Sequence, residues 1–377
     1  MTERARAMPF EIHRQREPRA ALCLVAILTA ACAAAACGTA ANPATEHASK
    51  VQSALGDDGL DGGVTGIDCG TNTDHPTQLA CTGLYSDWPS RTIAAGNVAF
   101  DPGLHLWSDG ADKSRWVYLP PGTQIDTTNM NEWTFPVGTK FWKEFRLGGR
   151  RVETRFLSKS AFGWFLTTYQ WSDDESAAVE VTNGVLNVRG TGYEIPSQNA
   201  CTICHMGRLD DVLGFEVVGL SSPAASGLTM AELVRQGLVT SAPASPVVIP
   251  GNATESAALG WLHANCGNAC HNRSSNSLAG STGLWMRLEV ANLGSVGATD
   301  TYTTAVNVPS NFQPFDGAGL LRVTPGSDAQ SAIPFRDGTR DDQGQGFQMP
   351  PIDTHIVDTA GVAAVRAWIN AMPPSSP

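Results

Sequence analysis

Two short stretches carry the residues best suited to chemistry. Ile195-Pro-Ser-Gln-Asn-Ala-Cys-Thr-Ile-Cys-His205 ends in Cys201, Cys204 and His205, and Trp261-Leu-His-Ala-Asn-Cys-Gly-Asn-Ala-Cys-His271 ends in Cys266, Cys270 and His271. Cys-x-x-Cys-His is the pattern through which haem becomes covalently attached. Two thiols add to two vinyl groups, and the histidine directly after the second cysteine turns back to the iron. The first copy has the standard spacing. The second has three residues between its cysteines and draws its meaning from context. Gly267 and Asn268 tolerate a looped-out conformation, so a one-residue bulge is expected to keep both sulfurs on the vinyl groups. A disulfide or a zinc site built from these thiolates and imidazoles competes with this reading. The repeated Cys-His adjacency favours two covalently attached c-type haems.

The second stretch has the richer surroundings. Thr254 is placed to cap a helix running through Trp261 to Cys266, with Ala258 and Leu262 on one stripe. Asp358 begins a second helix with Val362, Val365, Trp368 and Ile369 on one face, stopped by Pro373-Pro374. A long loop between them ends in Gly346-Phe-Gln-Met-Pro-Pro351. Leu262 is placed to meet Trp368, His271 to be the proximal ligand and Met349 the distal one. A thioether favours ferrous iron, so such a pair raises the reduction potential; the alternative for Met349 is core packing. The first stretch lacks an evident partner. Met206 adjoins the ligand and cannot swing to the opposite face, Met230 sits on an expected helix, and His263 either links the haems or is a polar helix residue. The distal ligand there stays open, an open coordination position included.

The remaining sequence must position these sites. Residues 84–200 read as a β-rich domain. Arg115-Trp-Val-Tyr-Leu, Lys140-Phe-Trp-Lys-Glu-Phe-Arg-Leu, Arg151-Val-Glu-Thr-Arg-Phe-Leu and Gly163-Trp-Phe-Leu-Thr-Thr-Tyr-Gln-Trp are short, aromatic and β-branched. Val179-Glu-Val-Thr-Asn-Gly-Val-Leu-Asn-Val is expected to be a hairpin turning at Asn183-Gly184. Such strands suggest an antiparallel, sandwich-like domain. Its charged groups, Asp109, Asp112, Lys113 and Arg115, then Arg151, Glu153 and Arg155 alternating on one strand face, are expected to form ion pairs. No catalytic constellation is evident among them. Residues 201–252 form the first haem segment and a Pro-rich connector, with a capped helix at Thr229-Met-Ala-Glu-Leu-Val-Arg-Gln-Gly237. Residues 253–377 form a mainly α domain. The fold class is therefore α+β.

The N-terminus points to a compartment. Arg4, Arg6, Arg14, Arg16 and Arg19 precede the apolar run Ala20–Ala36, the order of an export signal over 1–36. Cys37, or alternatively Cys32, is placed to be the lipidated first residue of a membrane-anchored lipoprotein. Residues 37–83 read as a flexible tether, with Cys69 and Cys81 forming a disulfide, as an oxidising compartment permits. Charged residues are only 16% of the chain, which fits a turn-rich exported protein. Without the signal, 20 basic residues face 33 acidic ones. That balance argues against nucleic acid, whose phosphates demand a basic face, and fits a basic redox partner.

Several of these segments together carry a resemblance. Thr82-Gly-Leu-Tyr-Ser, Leu106-Trp-Ser-Asp-Gly-Ala, Tyr118-Leu-Pro-Pro-Gly-Thr, Phe135-Pro-Val-Gly-Thr-Lys, Val152-Glu-Thr-Arg and both cysteine stretches resemble an uncharacterised family of exported dihaem c-type cytochromes of Gram-negative bacteria. The order of helix, haem stretch, loop, Met-Pro and final helix resembles class I cytochrome c. The resemblance covers residues 82 to 372 and implies haem at both stretches; the N-terminal signal and lipidation site place the expected location in the periplasm or at the outer membrane and cell surface. It implies no substrate. The extra residue in the second stretch departs from the family pattern. Electron transfer is the leading functional expectation. The alternatives are a peroxidase-like haem enzyme using a small oxidant at the first site, and a β-rich surface-binding module with auxiliary haem.

Overall fold

The computed structural model describes residues 67, 69, 75–312, 319–340 and 346–374. The expected export signal, Cys32, Cys37 and most of the tether lie outside the described residues. Cys69 and Cys81 are joined as a disulfide. Among the described residues, no helix is long and apolar enough to cross a membrane.

Alternating apolar residues in the middle of the chain build one antiparallel sheet. Strands β3 (Asn97–Asp101), β4 (Asp112–Tyr118), β5 (Lys140–Leu147), β6 (Arg150–Ser160), β7 (Gly163–Trp171) and β8 (Ala178–Glu180) lie side by side in sequence order. A late strand, β9 (Ser226–Gly227), adds to the β3 edge and completes seven. A separate ribbon of β1 (Tyr85–Asp87) and β2 (Thr92–Ile93) precedes them. The turn between β5 and β6 is Gly148-Gly149, both at positive φ, as a tight primed hairpin requires.

The two faces of the sheet are buried differently, and neither meets a second full sheet. On one face Trp142, Phe156, Tyr169 and Trp171 pack with Leu79, Leu84 and Tyr85. On the other, Val117 and Phe141 join Phe100, Phe215, Leu262, Val365, Trp368 and Ile369 in one continuous cluster. Phe141 and Phe215 meet edge to face at 5.3 Å. Helices thus cover the face that a sandwich would give to its second sheet. The core runs across the boundaries that composition suggested.

Two further details depart from the sequence reading. Val185 pairs with Ile195 rather than with the strand before it, and β8 returns along β7. Gly184 alone of the expected turn pair takes positive φ, so Val179–Val188 is no hairpin. The β5–β6 register slips between Phe145 and Arg146, leaving Val152 unpaired. That bulge turns Arg151 away from Glu153 and Arg155. Arg151 pairs with Glu144 at 2.8 Å on the opposite face, breaking the expected alternation.

The helices follow their caps. The first motif lies on α1 (Gln198–His205), capped by Ser197. A single turn, α2 (Val217–Leu220), is capped by Glu216, and α3 (Met230–Arg235) by Thr229. Asn252, rather than Thr254, caps α4 (Ala253–Leu262), in a reciprocal capping box with Glu255. After α5 (Asp300–Ala305) and α6 (Ala332–Asp337), Asp358 caps α7 (Thr359–Ala371). The buried face of α7 is Gly361, Val362, Val365, Trp368 and Ile369. Helices α4 and α7 pack closely: a Cβ on Gly361 would collide with the Trp261 ring. The Trp261 Nε1–H donates to Asp358 at 2.8 Å.

Candidate functional site: two Cys-His motifs back to back

The extra residue of the second motif is absorbed inside the helix. From His263 to Gly267 the backbone widens into a π turn continuous with α4. The Asn268 N–H bonds the His263 carbonyl, and the His271 N–H bonds the Cys266 carbonyl at 2.8 Å, each five residues back. One inserted residue is what such a bulge accommodates. The expected looped-out conformation is therefore replaced: Asn268 has ordinary helical φ and ψ. Gly267 is needed for another reason, since a Cβ there would overlap the backbone of Arg287.

Both motif histidines are presented in one chemical form. The His205 Nδ1–H donates to the Asp211 carbonyl. The His271 Nδ1–H donates to the Leu284 carbonyl at 3.2 Å. A carbonyl only accepts, so each Nδ1 carries the proton and each Nε2 keeps its lone pair. Burial pushes both imidazoles down to about 4, against the pull of those carbonyls. Arg155 and Lys143 beside His205, and Arg336 and Arg322 beside His271, act in the same direction as burial. A neutral imidazole with its second nitrogen anchored is the form that ligates a metal.

His271 faces a cleft of about 250 Å³, just under the ~300–1,000 Å³ range of ligand cavities. Cys266, Cys270 and Met349 line the same space. Leu284, Met286, Phe312 and Ile333 supply apolar wall, and Arg322, Arg336 and Asp337 supply charge. Burial raises the Cys266 thiol, so it is held protonated, as a small apolar group. Met349 comes on a loop that the β part of the chain fastens. Asp109 accepts from the backbone N–H groups of His355 and Ile356, at 3.0 and 2.9 Å, and Trp107 Nε1–H donates to the Ile356 carbonyl at 2.7 Å. The Trp107 N–H also donates to Asn265, the residue before Cys266. No sequence pattern assigned that role to Asp109 and Trp107.

The two motifs touch. A Cβ on Gly207 would overlap the Ala269 carbonyl oxygen. Arg208 donates to Asn268 at 2.9 Å and to the Asn131 carbonyl at 2.8 Å. Glu132 accepts ion pairs from both Arg208 and Arg287, clamping the segment after the first motif to the later stretch that packs against Gly267 of the second. The neighbouring Cys270 thiol, and then burial, hold the Cys204 thiol up. All four motif cysteines are free thiols. Among the described residues, no three His, Cys, Asp or Glu side chains gather as a metal-holding group.

The other candidate ligands sit elsewhere. His263 is fully buried; its Nδ1 accepts the Leu288 N–H at 3.0 Å and its Nε2 pairs with Glu216 at 3.2 Å. Both ring nitrogens are engaged, so His263 is not presented as a ligand. It fixes the α4 end to the cap of α2. Burial works against ionisation of Glu216, but His263, Arg208 and the Gly219 amide hold its carboxyl down at about 2. Met230 lies in the main core and Met206 is exposed beside His205.

No family model matches the chain, and no curated protein or solved structure matches it either.

Proposed function

We propose that the chain is an exported dihaem c-type cytochrome that carries electrons. The observation that carries this reading is chemical. Each Cys-His segment offers a neutral imidazole with a free Nε2 beside two thiols, and one of them looks across a cleft toward Met349. Cys201, Cys204 and His205 would hold one haem c, and Cys266, Cys270, His271 and Met349 the other. Bound there, haem iron supplies one-electron transfer at a potential set by its ligands and surroundings. The protein's own contribution is to fix both imidazoles, exclude water with the Leu284–Met286 wall, and keep the motifs in contact. Helices α4 and α7 crossing beside the cleft support the class I cytochrome c likeness of residues 253–377. The acidic balance favours a basic redox partner, and the N-terminal segment favours a lipid-anchored location outside the cytoplasm.

A second reading has one observation in its favour. Neither Met206, Met230 nor His263 is placed to oppose His205, which leaves small-oxidant chemistry at the first site open. Pyridine-haemochrome quantitation with intact mass on protein matured in a haem-attaching host tests the main reading. Two covalent haems per chain are expected, and none would overturn it. Met349→Ala should remove a methionine–iron charge-transfer band. It should also shift one ferric/ferrous equilibrium more than tenfold toward ferric, ~59 mV. A high-spin ferric signal at the other site that responds to cyanide would favour the oxidant reading.

A further inference from the structure

The sheet face turned toward α1 carries charge that its own acids do not neutralise. Arg115, Lys143 and Arg155 stand directly opposite one another on β4, β5 and β6. Lys113 lies two residues along the same face. Like charges paired across strands destabilise a sheet, so their retention calls for a partner. Arg115 has Asp101 at 3.2 Å, and Arg155 has Glu153. Among the described residues, Lys113 and Lys143 have no carboxylate within ion-pair distance. Each ammonium instead lies over the Phe145 ring, at 5.9 and 5.0 Å from its centre.

Arg155 and Lys143 act on the first motif, and Lys113 lies beside Arg155 on the same face. Helix α1 is fastened to the sheet beside them, Gln198 donating to the Leu166 carbonyl at 2.8 Å. Arg155 acts electrostatically on Cys201, Cys204 and His205, and Lys143 acts on His205. Protein surrounds Lys143 and Arg155, yet both keep accessible surface, 23% of the side chain for Arg155. Both are enclosed by protein without being fully packed. Burial, then the neighbouring cations, lower Lys143 well below the usual lysine range and Lys113 to about 8. Asp353 also acts on Arg155, but burial raises its carboxyl, which weakens it as a counter-ion.

We infer that Lys113 and Lys143 form the binding site for the two carboxylates of the haem tethered at Cys201 and Cys204. The inference rests on the haem reading above and deepens it. Two ammonium groups on one sheet face, with no ion-pair partner among the described residues and acted on only at longer range by Asp112, Asp358 and Glu153, match two carboxylates on the rim of one macrocycle. Desolvated ammonium–carboxylate pairs gain where lone ammonium groups pay a penalty. The sheet row thereby acquires its missing negative charge. The sheet then has a direct role at the first site.

The test uses the full chain, matured with haem, and resolves the two reduction potentials separately. Lys143→Gln removes positive charge beside one iron and bares the carboxylate it neutralised. One potential should fall by a tenfold change in the ferric/ferrous ratio, ~59 mV, with the other unmoved. Lys113→Gln should lower the same potential, and Lys143→Arg should restore most of the wild-type value. If Lys143→Gln fails to fold, Lys143→Arg and Lys113→Gln carry the test. Resonance Raman carboxylate-bending modes should shift in the same variants. Two bound haems with both potentials unchanged in the Gln variants would overturn the inference while leaving the haem reading intact. A wild-type potential that responds to added inorganic phosphate at constant ionic strength would also overturn it, because the ammonium groups would then be open to free anions. A wild-type chain with no haem on Cys201 and Cys204 would overturn both.

Discussion

Asp337 is a carboxyl whose ionisation the fold opposes. It lines the Met349 cleft, is 5% exposed, and its Oδ2 has no hydrogen-bond partner. Burial raises its carboxyl to about 7, with Arg340 and Arg336 pulling the other way. The unfolded chain releases this proton near the ordinary value of ~3.9. Between the two values the folded state holds a proton that the unfolded state has lost. Stability therefore falls as pH rises through that window. A shift of this size corresponds to at most ~4 kcal/mol at ~1.4 kcal/mol per unit. Asp337→Asn keeps the shape and removes the charge. Its urea midpoint should exceed wild type clearly at pH 8, and the gap should shrink toward pH 5. A gap independent of pH would show that Asp337 is not the titrating group.

At the scale of elements, the π turn at His263–Gly267 decides whether the second motif is competent. Each residue of a regular helix turns the chain by ~100°, so one uncorrected insertion would swing Cys266 away from Cys270 and His271. The wide turn takes up that residue while Ala258, Leu259 and Leu262 stay buried. Gly267 lets the turn press against Arg287. Gly267→Ala should cost ~1–3 kcal/mol, the range for overpacking, and, on the proposed haem reading, lower the yield of attachment at Cys266 and Cys270. Gly294→Ala, where a Cβ meets nothing within 4 Å, is the control expected to stay near wild type in a thermal melt. Equal stability of the two variants would refute the packing argument. Much of this region was legible in the sequence. The face of α7, the Asp358 cap and the Cys69–Cys81 pairing follow from local spacing and chemistry. The π turn was not legible, because a three-residue gap between cysteines fits a loop or a widened helix equally well. The Val179–Val188 hairpin failed for a related reason: Asn183-Gly184 permits a primed turn, but Ile195, outside the local window, takes Val185 as its partner.

At the scale of the molecule, what the sequence hid is contact over distance. Glu132 between Arg208 and Arg287, and Asp109 holding the Met349 loop, join segments far apart in the chain, and no periodicity announces such pairs. The same holds for the core. Phe141 on β5 packs edge to face with Phe100, Phe135 and Phe215, and belongs to one cluster with Leu262 and Trp368 beside the second motif. A core shared in this way should unfold as one unit, since exposing the sheet face also uncovers the helices that carry the motifs. Phe141→Ala removes a ring that is 6% exposed and should cost ~3–5 kcal/mol. Far-ultraviolet circular dichroism, reporting the backbone, and, on chain carrying the proposed haems, the Soret band should move to lower denaturant together and remain superimposable. A Soret transition left at the wild-type midpoint while the dichroism shifts would mean that the sheet and the motif-bearing helices are separate folding units. The sheet would then be a neighbour of the sites rather than part of their scaffold.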